Sequence, residues 1–198
     1  YVAKDWTSNI GSSSTSLKAD VDVAAGSLFR YGAGGGACWF TPGGGSTLAT
    51  LVRNVGRGTL TINGTGTVTR CESASGQTVI GGNIVATNIH IGGGVVDLQS
   101  TSGTAPTVVE ITGGSLKTQR GAVTTTLYGG SLTIEAATNA MTTLTYAGGN
   151  LFLSQSGTIT TFNLLSGNAA SIRIGRPLTI TNTVVWGSVA NASIPRPS

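Results

Sequence analysis

Charged residues, aromatic residues and several reactive residue types are scarce in this 198-residue sequence. Only 9% of the residues are charged and 6% are aromatic, and there are two cysteines, one methionine and one histidine. Two cysteines are too few for a disulfide framework, and so little charge excludes both a charged disordered tail and an ordinary helical bundle. The length suits one domain or one long array of repeats.

Basic residues are spread along the whole chain, so the net charge of +4 reflects the scarcity of charge and not a basic patch. Nucleic-acid binding needs basic residues concentrated on one face, and we therefore expect none here. No apolar run is long enough to span a membrane, and the first residues do not have the pattern of a signal peptide. Because the sequence begins at Tyr1 and ends with ASIPRPS, we expect a fragment or a processed product.

Glycine is abundant, with 31 residues, and threonine-rich segments recur at a nearly fixed distance. The first threonine of each such segment serves as its anchor: Thr67, Thr87, Thr107, Thr125, Thr142, Thr160 and Thr179. The steps between anchors are 20, 20, 18, 17, 18 and 19 residues, which gives a period of about nineteen. Glycine pairs mark the same period at 93–94, 113–114, 129–130 and 148–149, with Ser166-Gly167 as their equivalent.

Within each repeat, apolar residues alternate with polar ones, as in half-buried β-strands. A unit of two short strands cannot bury its apolar side alone, whereas stacked coils bury it and pair their backbones. The sequence therefore predicts an all-β, single-stranded parallel β-helix of about seven coils of 17–20 residues, with Ile111 and Leu144 in one interior column. A meander of hairpins is the alternative, since Asn63-Gly64 is typical of a tight hairpin turn.

This β-helix predicts outward ladders, with His90 next to Glu110 and Asp97 next to Lys117 on neighbouring coils. Residues 56–186 form the repeats, and residues 187–198 form a C-terminal tail or the start of a further segment. Residues 1–55 do not follow the period, and we interpret them as opening coils with an irregular capping or docking segment. Four aromatic residues would cover the first coil and bind a partner: Trp6, Phe29, Trp39 and Phe40.

Catalytic or metal-binding motifs are weak in this sequence. His90 is predicted to point outward and lies in no Ser/His/Asp or Cys/His signature. Asp20 and Asp22 share a strand face, but no third carboxylate repeats at their position. The glycine runs GAGGGA and PGGGST lack the ending of a phosphate-binding loop. We therefore expect no enzyme activity, no cofactor and no metal, and we expect Cys71 to be a buried free thiol, with pairing to Cys38 as the alternative.

Threonine pairs of the form T-x-T occur at 59–61, 67–69, 143–145, 158–160 and 179–181. Regular rows of this kind on a flat solenoid face can order water and bind ice. These pairs fall at different positions in the repeat, and we expect one threonine of several pairs to point inward. Strand propensity alone also accounts for many threonines, so ice binding is the weakest of the functional hypotheses.

The segments TTLTYAGGNLFL, VVEITGGSLKT and TTTLYGGSLTI resemble the coils of right-handed β-helical proteins with a Gly-Gly corner. Such coils are found in virion structural proteins of tailed phages and in autotransporter passenger domains. The phage resemblance implies a non-enzymatic capsid decoration (cement) protein, trimeric and located on the virion surface, that binds the major capsid protein or other virion proteins. The alternative is a tail-spike or adhesin, extracellular or on a cell surface, that binds a receptor or glycan; Tyr128, Tyr146 and Phe152 are its candidate contacts.

Overall fold

The computed structural model describes residues 17–18, 28–31, 37–40, 51–62, 66–81, 83–99, 104–135, 141–154, 157–165 and 171–185, with side chains from residue 51 onward. All regular elements in these ranges are β-strands, apart from a single 3₁₀ position at Ser171. The strands are β1 (Leu17–Lys18), β2 (Leu28–Tyr31), β3 (Ala37–Phe40), β4 (Leu51–Asn54), β5 (Thr59–Ile62), β6 (Gly66–Ser73), β7 (Gln77–Ile80), β8 (Ile84–Ile91), β9 (Val95–Leu98), β10 (Val108–Ile111), β11 (Ser115–Thr118), β12 (Thr124–Leu127), β13 (Ser131–Glu135), β14 (Met141–Tyr146), β15 (Asn150–Ser154), β16 (Gly157–Leu164), β17 (Ile172–Ile174) and β18 (Leu178–Val185).

The strands form two parallel sheets, and every strand pairs with the strand two places before or after it. Sheet 1 contains the nine odd-numbered strands in chain order, and sheet 2 contains the nine even-numbered strands. The chain therefore passes from one sheet to the other and back, and each circuit lies on the previous one. This arrangement confirms the all-β parallel β-solenoid and rules out the meander of hairpins, whose neighbouring strands would run in opposite directions.

The interior is built of columns of side chains that repeat once per coil. One column of buried residues runs along sheet 2: Val52, Cys71, Ile89, Val109, Thr125, Leu144 and Phe162. The adjacent column contains Asn54, Ser73, Ile91, Ile111, Leu127, Tyr146 and Leu164, all buried. Strand alternation places successive side chains on opposite faces, so that residues two apart share the interior. The result is one continuous apolar core from Val52 to Ile172.

The predicted alignment of residues between successive coils is correct for some coils and wrong by two residues for others. Ile111 pairs in register with Leu127, which pairs with Tyr146, so Ile111 does not share a column with Leu144. Both side chains are interior, but they occupy neighbouring columns. The early glycine pair at 129–130 leaves the alignment around Thr125 ambiguous by about two residues. The structure resolves this ambiguity against Thr125 as an anchor, because it pairs with Val109 and is buried, whereas the anchor Thr107 is exposed.

The long strands of sheet 2 bend at a point where two successive residues both face outward. In β16, Ile159 and Phe162 are buried while Thr160 and Thr161 are not. The same interval separates Val68 from Cys71 in β6. Threonines occupy several outward positions around this bend. The first threonine of one segment is therefore not always the register partner of the first threonine of the next segment. This explains why Thr67 pairs with Val85 and not with the anchor Thr87.

The glycine pairs form a corner in which the second glycine adopts a left-handed backbone conformation. Gly149 has a φ of +87°, and a Cβ at that position would lie 2.5 Å from the carbonyl oxygen of Gly130 on the preceding coil. That carbonyl accepts a hydrogen bond from the backbone N–H of Asn150 at 2.8 Å. Only glycine provides both the positive φ and the close approach of one coil to the next. The pair Ser166-Gly167 lies outside the described residues.

Candidate functional site

The four aromatic residues predicted to bind a partner lie where the structure gives no side chains. Trp6 is outside the described residues. Phe29 belongs to β2, and Trp39 and Phe40 belong to β3, whose backbones pair in register with β4 and β5. This pairing places the three residues on the opening coils, and their contact with a partner stays a prediction. Asp20 and Asp22 also lie outside the described residues.

A ladder of charged and ionisable residues, the charged ladder, occupies the outer face of sheet 2 in its first half. Arg53, Glu72, His90 and Glu110 follow one another in a single column, which confirms the predicted stacking of His90 and Glu110. Arg53 Nε donates to Glu72 at 2.5 Å, and Arg70 Nε donates to the other carboxylate oxygen at 2.6 Å. Burial opposes ionisation of this carboxyl, but the hydrogen bonds and charges of Arg53 and Arg70 outweigh it and lower the pKa of Glu72.

A shallow recess of about 220 Å³ lies beside this ladder, lined in part by Arg53, Glu72, Ser73 and His90. Glu72 is a poor proton acceptor there, because two guanidinium groups hold it in its ionised form. Among the described residues, no group of three or more histidine, cysteine or acidic side chains has the geometry to hold a metal ion. The recess is therefore best described as one side of a surface ion-pair network.

The predicted stacking of Asp97 and Lys117 on sheet 1 is confirmed in register. The charge pairing is different, because Lys117 Nζ lies 3.2 Å from a carboxylate oxygen of Glu135 on the following coil. Asp97 instead accepts a hydrogen bond from Gln99 Nε2 at 3.4 Å. Diagonal neighbours are farther apart than direct ones, but they are still within reach of side chains of this length. The backbone register therefore does not determine which charges meet.

An uncharged, threonine-rich surface occupies the second half of sheet 2, and we call it the threonine face. Its members are Thr124, Thr126, Thr143, Thr145, Thr161 and Asn163, which form two outward columns across three coils. Asn163 Nδ2 donates to Thr145 Oγ1 at 3.2 Å, and this hydrogen bond links two successive coils within one column. β12, β14 and β16 contain no acidic or basic residue, in contrast to the charged ladder on the same sheet.

The T-x-T pairs have both threonines outside the core, contrary to the expectation that some would point inward. The middle residue is the buried one in four of the five pairs, namely Leu60, Val68, Leu144 and Ile159. This follows from strand alternation, since residues i and i+2 lie on one face. The pairs do fall on different parts of the coil, as expected. Residues 59–61 lie on sheet 1 and residues 143–145 on sheet 2.

Arg120 is almost fully buried, with 1% of its surface exposed, although it belongs to no motif in the sequence. Its Nε donates to the carbonyl of Gln99 at 2.9 Å, its Nη1 to Ile84 at 2.8 Å and Thr104 at 3.2 Å, and its Nη2 to Gly81 at 2.8 Å. The guanidinium thus satisfies backbone carbonyls of two earlier coils. Burial lowers its pKa, and within the described residues no carboxylate pairs with it.

The Cys71 thiol is buried and free, which confirms the preferred interpretation over a disulfide with Cys38. It lies in an interior column between Val52 and Ile89. Burial, and to a smaller degree the charge of Glu72, raises the pKa of Cys71 to about 12. A thiol that stays protonated is a poor nucleophile, so Cys71 is a packing residue.

Two of the three candidate glycan-contact residues are exposed and one is not. Tyr128 is 53% exposed and Phe152 is 37% exposed. Tyr146 is buried, and its hydroxyl donates to the carbonyl of Gly149 at 2.7 Å, so its proposed role as a surface contact is wrong. Its position in the interior column above Leu127 accounts for this.

Comparison of the chain with protein families, with curated proteins and with solved structures finds no match in any of the three. In the described part of the chain, no helix has the length and apolar character needed to cross a bilayer.

Proposed function

We propose that this chain is a non-enzymatic structural protein of a virion, namely a decoration (cement) protein on a phage capsid. One observation carries the proposal: the coils share an unbroken core from Val52 to Ile172 and present broad lateral faces with few charges. A rod of this kind suits contact with a large, repeating surface better than capture of a small substrate. The resemblance of its Gly-Gly coils to those of virion proteins supports the same assignment.

The partner in this proposal is the major capsid protein or another virion protein, contacted by the N-terminal segment that contains Trp6, Phe29, Trp39 and Phe40. Aromatic residues are enriched at the centres of protein interfaces because each buries a large apolar area. We also propose a homotrimer, which would shelter coil edges and ends. Light scattering coupled to gel filtration would then give a mass three times that of the 19.8 kDa chain.

Immunogold electron microscopy tests the virion assignment. An antibody raised against the purified protein is applied to virus particles purified from cultures that carry the gene. Gold on the heads of intact particles is the expected result. Gold on the tails would instead support the tail-spike alternative, and particles without gold, beside a control antibody that labels the capsid, would overturn both virion assignments.

Ice binding is a second candidate, because the threonine face has the feature that this activity requires. The spacing between coils is about 4.8 Å, and outward residues two apart on a strand are separated by about 6.7 Å. The threonine face therefore repeats hydroxyl and methyl groups in two directions, interrupted at one position by the amide of Asn163, and carries no charge. Such a lattice can hold ordered water at its surface.

Thr145→Lys provides the test of ice binding, with Thr61→Lys as a matched control. Both threonines end a Thr-Leu-Thr segment and both are partly exposed, but Thr61 lies on sheet 1. If the threonine face binds ice, the natural protein inhibits ice recrystallisation, Thr145→Lys abolishes the inhibition and Thr61→Lys retains it. Recrystallisation at the rate of a buffer control, or equal loss in the two variants, would exclude this function.

A further inference from the structure

A groove with a volume of about 410 Å³ lies on the outer face of sheet 1, toward its last strands. Six residues line it: Ser131, Asn150, Leu151, Phe152, Ser171 and Arg173. This volume lies within the range of about 300–1,000 Å³ that is typical of small-molecule sites. The groove is separate from the threonine face, which belongs to sheet 2.

The stacking of coils places the outward lining residues in two columns, on either side of the buried Leu151. Ser131 pairs in register with Asn150, and Phe152 pairs with Arg173. Asn150 and Phe152 are two residues apart on β15 and are both exposed, so their side chains leave the same face. One column thus offers hydroxyl and amide groups, and the other offers an aromatic ring followed by a guanidinium group.

The Phe152 ring rests on Gly175. A Cβ at residue 175 would lie 3.2 Å from Cζ and 3.3 Å from Cε2 of the ring, so glycine leaves the space that the ring uses. An exposed phenylalanine in such a position contributes an apolar surface beside the polar groups of the groove. Sugars present apolar C–H faces and hydroxyl edges together, and this combination matches an aromatic ring flanked by amide and hydroxyl groups.

Arg173 sets the charge of the groove. Its side chain is exposed, and within the described residues no carboxylate lies within ion-pair distance of it. On the same sheet, the carboxylate of Glu135 is paired with Lys117. A guanidinium recognises a carboxylate through two parallel hydrogen bonds, so an acidic ligand complements this groove. A single cation is too few for a nucleic-acid backbone, which requires several along its path.

We propose that this groove binds an acidic saccharide, with Arg173 on the carboxylate, Phe152 against an apolar sugar face, and Asn150, Ser131 and Ser171 on the hydroxyl groups. The coil spacing of about 4.8 Å lets one chain of sugars run along the stack and contact successive strands. This binding site does not depend on the proposed virion function, because neither the capsid nor the N-terminal segment takes part in it.

Isothermal titration calorimetry on the full chain tests the proposal with three probes of equal length: a hexamer of galacturonic acid, maltohexaose and hexaglutamate. The acidic saccharide should bind, and maltohexaose and hexaglutamate should each bind at least about tenfold more weakly, because each lacks one of the two recognition elements. Arg173→Gln should weaken binding of the acidic saccharide by about tenfold or more, since it removes a charge-assisted contact. Phe152→Ala should weaken it by a similar factor through loss of the ring.

Arg176→Gln and Tyr128→Ala serve as controls, because both residues are exposed and neither lines the groove. Their affinities should stay within about twofold of the natural protein, as is usual for surface substitutions. Thermal unfolding of every variant shows that the fold is retained, and Arg173→Gln alters only an exposed side chain. Absence of galacturonate binding, equal binding of all three probes, or affinities unchanged by both groove variants would each overturn the proposal.

Discussion

Gly149 faces the carbonyl oxygen of Gly130, one coil earlier, so closely that a Cβ on residue 149 would lie 2.5 Å from that oxygen. The same arrangement recurs at the second glycine of each described pair, where a positive φ accompanies the approach. The corner of the solenoid is therefore a stack of backbones without side chains. Its geometry fixes how closely successive coils can approach.

Gly149→Ala is expected to destabilise the fold by about 2 kcal/mol or more. The left-handed backbone conformation is unfavourable for alanine, and the added Cβ would have to displace the Gly130 carbonyl. Gly157→Ala is the matched control, because a Cβ there meets no atom within 4 Å. It should change the free energy of unfolding by less than about 0.5 kcal/mol. Urea denaturation of the two variants measures this difference, and equal stabilities would contradict the stacked corner.

Arg120→Ala is expected to lower the free energy of unfolding by about 3 kcal/mol or more, because it leaves several buried carbonyl groups without a donor. Arg120→Lys should recover only part of this loss, since an ammonium group has three donors and no planar fork. Arg176→Ala is the control, as it removes an exposed arginine. In chemical denaturation, the natural protein and Arg176→Ala should have equal and the highest free energies of unfolding. Arg120→Lys should be lower, and Arg120→Ala should be the lowest.

Glu72→Gln tests the ion-pair network and its dependence on pH. The pKa of Glu72 is lowered in the folded state, so its stabilisation is present above the unfolded pKa, near 4.5, and is lost as pH falls through the lower folded value. Arg53 and Arg70 are 43% and 54% exposed, which limits the effect at neutral pH to about 1 kcal/mol.

The stabilities of Glu72→Gln and the natural protein should therefore differ at pH 7 and converge at the acid end of the titration. Glu110→Gln is the control in the same column, since among the described residues Glu110 has no ion-pair partner. A constant difference between Glu72→Gln and the natural protein across the pH range would show that the carboxylate charge is not responsible.

Cys71 should resist alkylation in the folded protein. Burial raises its pKa to about 12, and both access and thiolate formation are suppressed at neutral pH. Treatment with iodoacetamide, followed by peptide mass mapping, should show modification of Cys71 only after unfolding in denaturant. Rapid labelling without denaturant would mean that the interior column between Val52 and Ile89 opens readily.

The sequence predicts the stacking of coils well because the residue types that a parallel solenoid needs recur once per repeat. Glycine pairs mark corners, and alternating aliphatic residues mark strands, so the neighbours His90 and Glu110 could be matched by counting. Counting fails in the run Thr124–Thr126, where threonines occupy both outward and inward positions, and the anchor Thr125 is itself buried opposite Val109. Local composition does not distinguish an inward threonine from an outward one.

Buried polar contacts and the partners of surface side chains are much harder to predict. Arg120 is buried because carbonyls of Gly81, Ile84, Gln99 and Thr104 converge on it, and these groups are up to 39 residues away in the chain. The groove around Arg173 likewise combines residues from three strands or their flanks, and none of these residues belongs to a recognisable motif. Lys117 shows the same difficulty, because its long side chain reaches Glu135 although its register neighbour on the preceding coil is Asp97.

The most direct test of the account is a set of backbone nuclear Overhauser effects around Glu110 in the isotopically labelled protein. Parallel stacking predicts contacts from Glu110 to His90 on one side and to Thr126 on the other, at separations of 20 and 16 residues. These contacts should follow the pattern of parallel strands. Contacts of an antiparallel pattern between consecutive strands, such as β10 with β11, would contradict the solenoid and every surface derived from it.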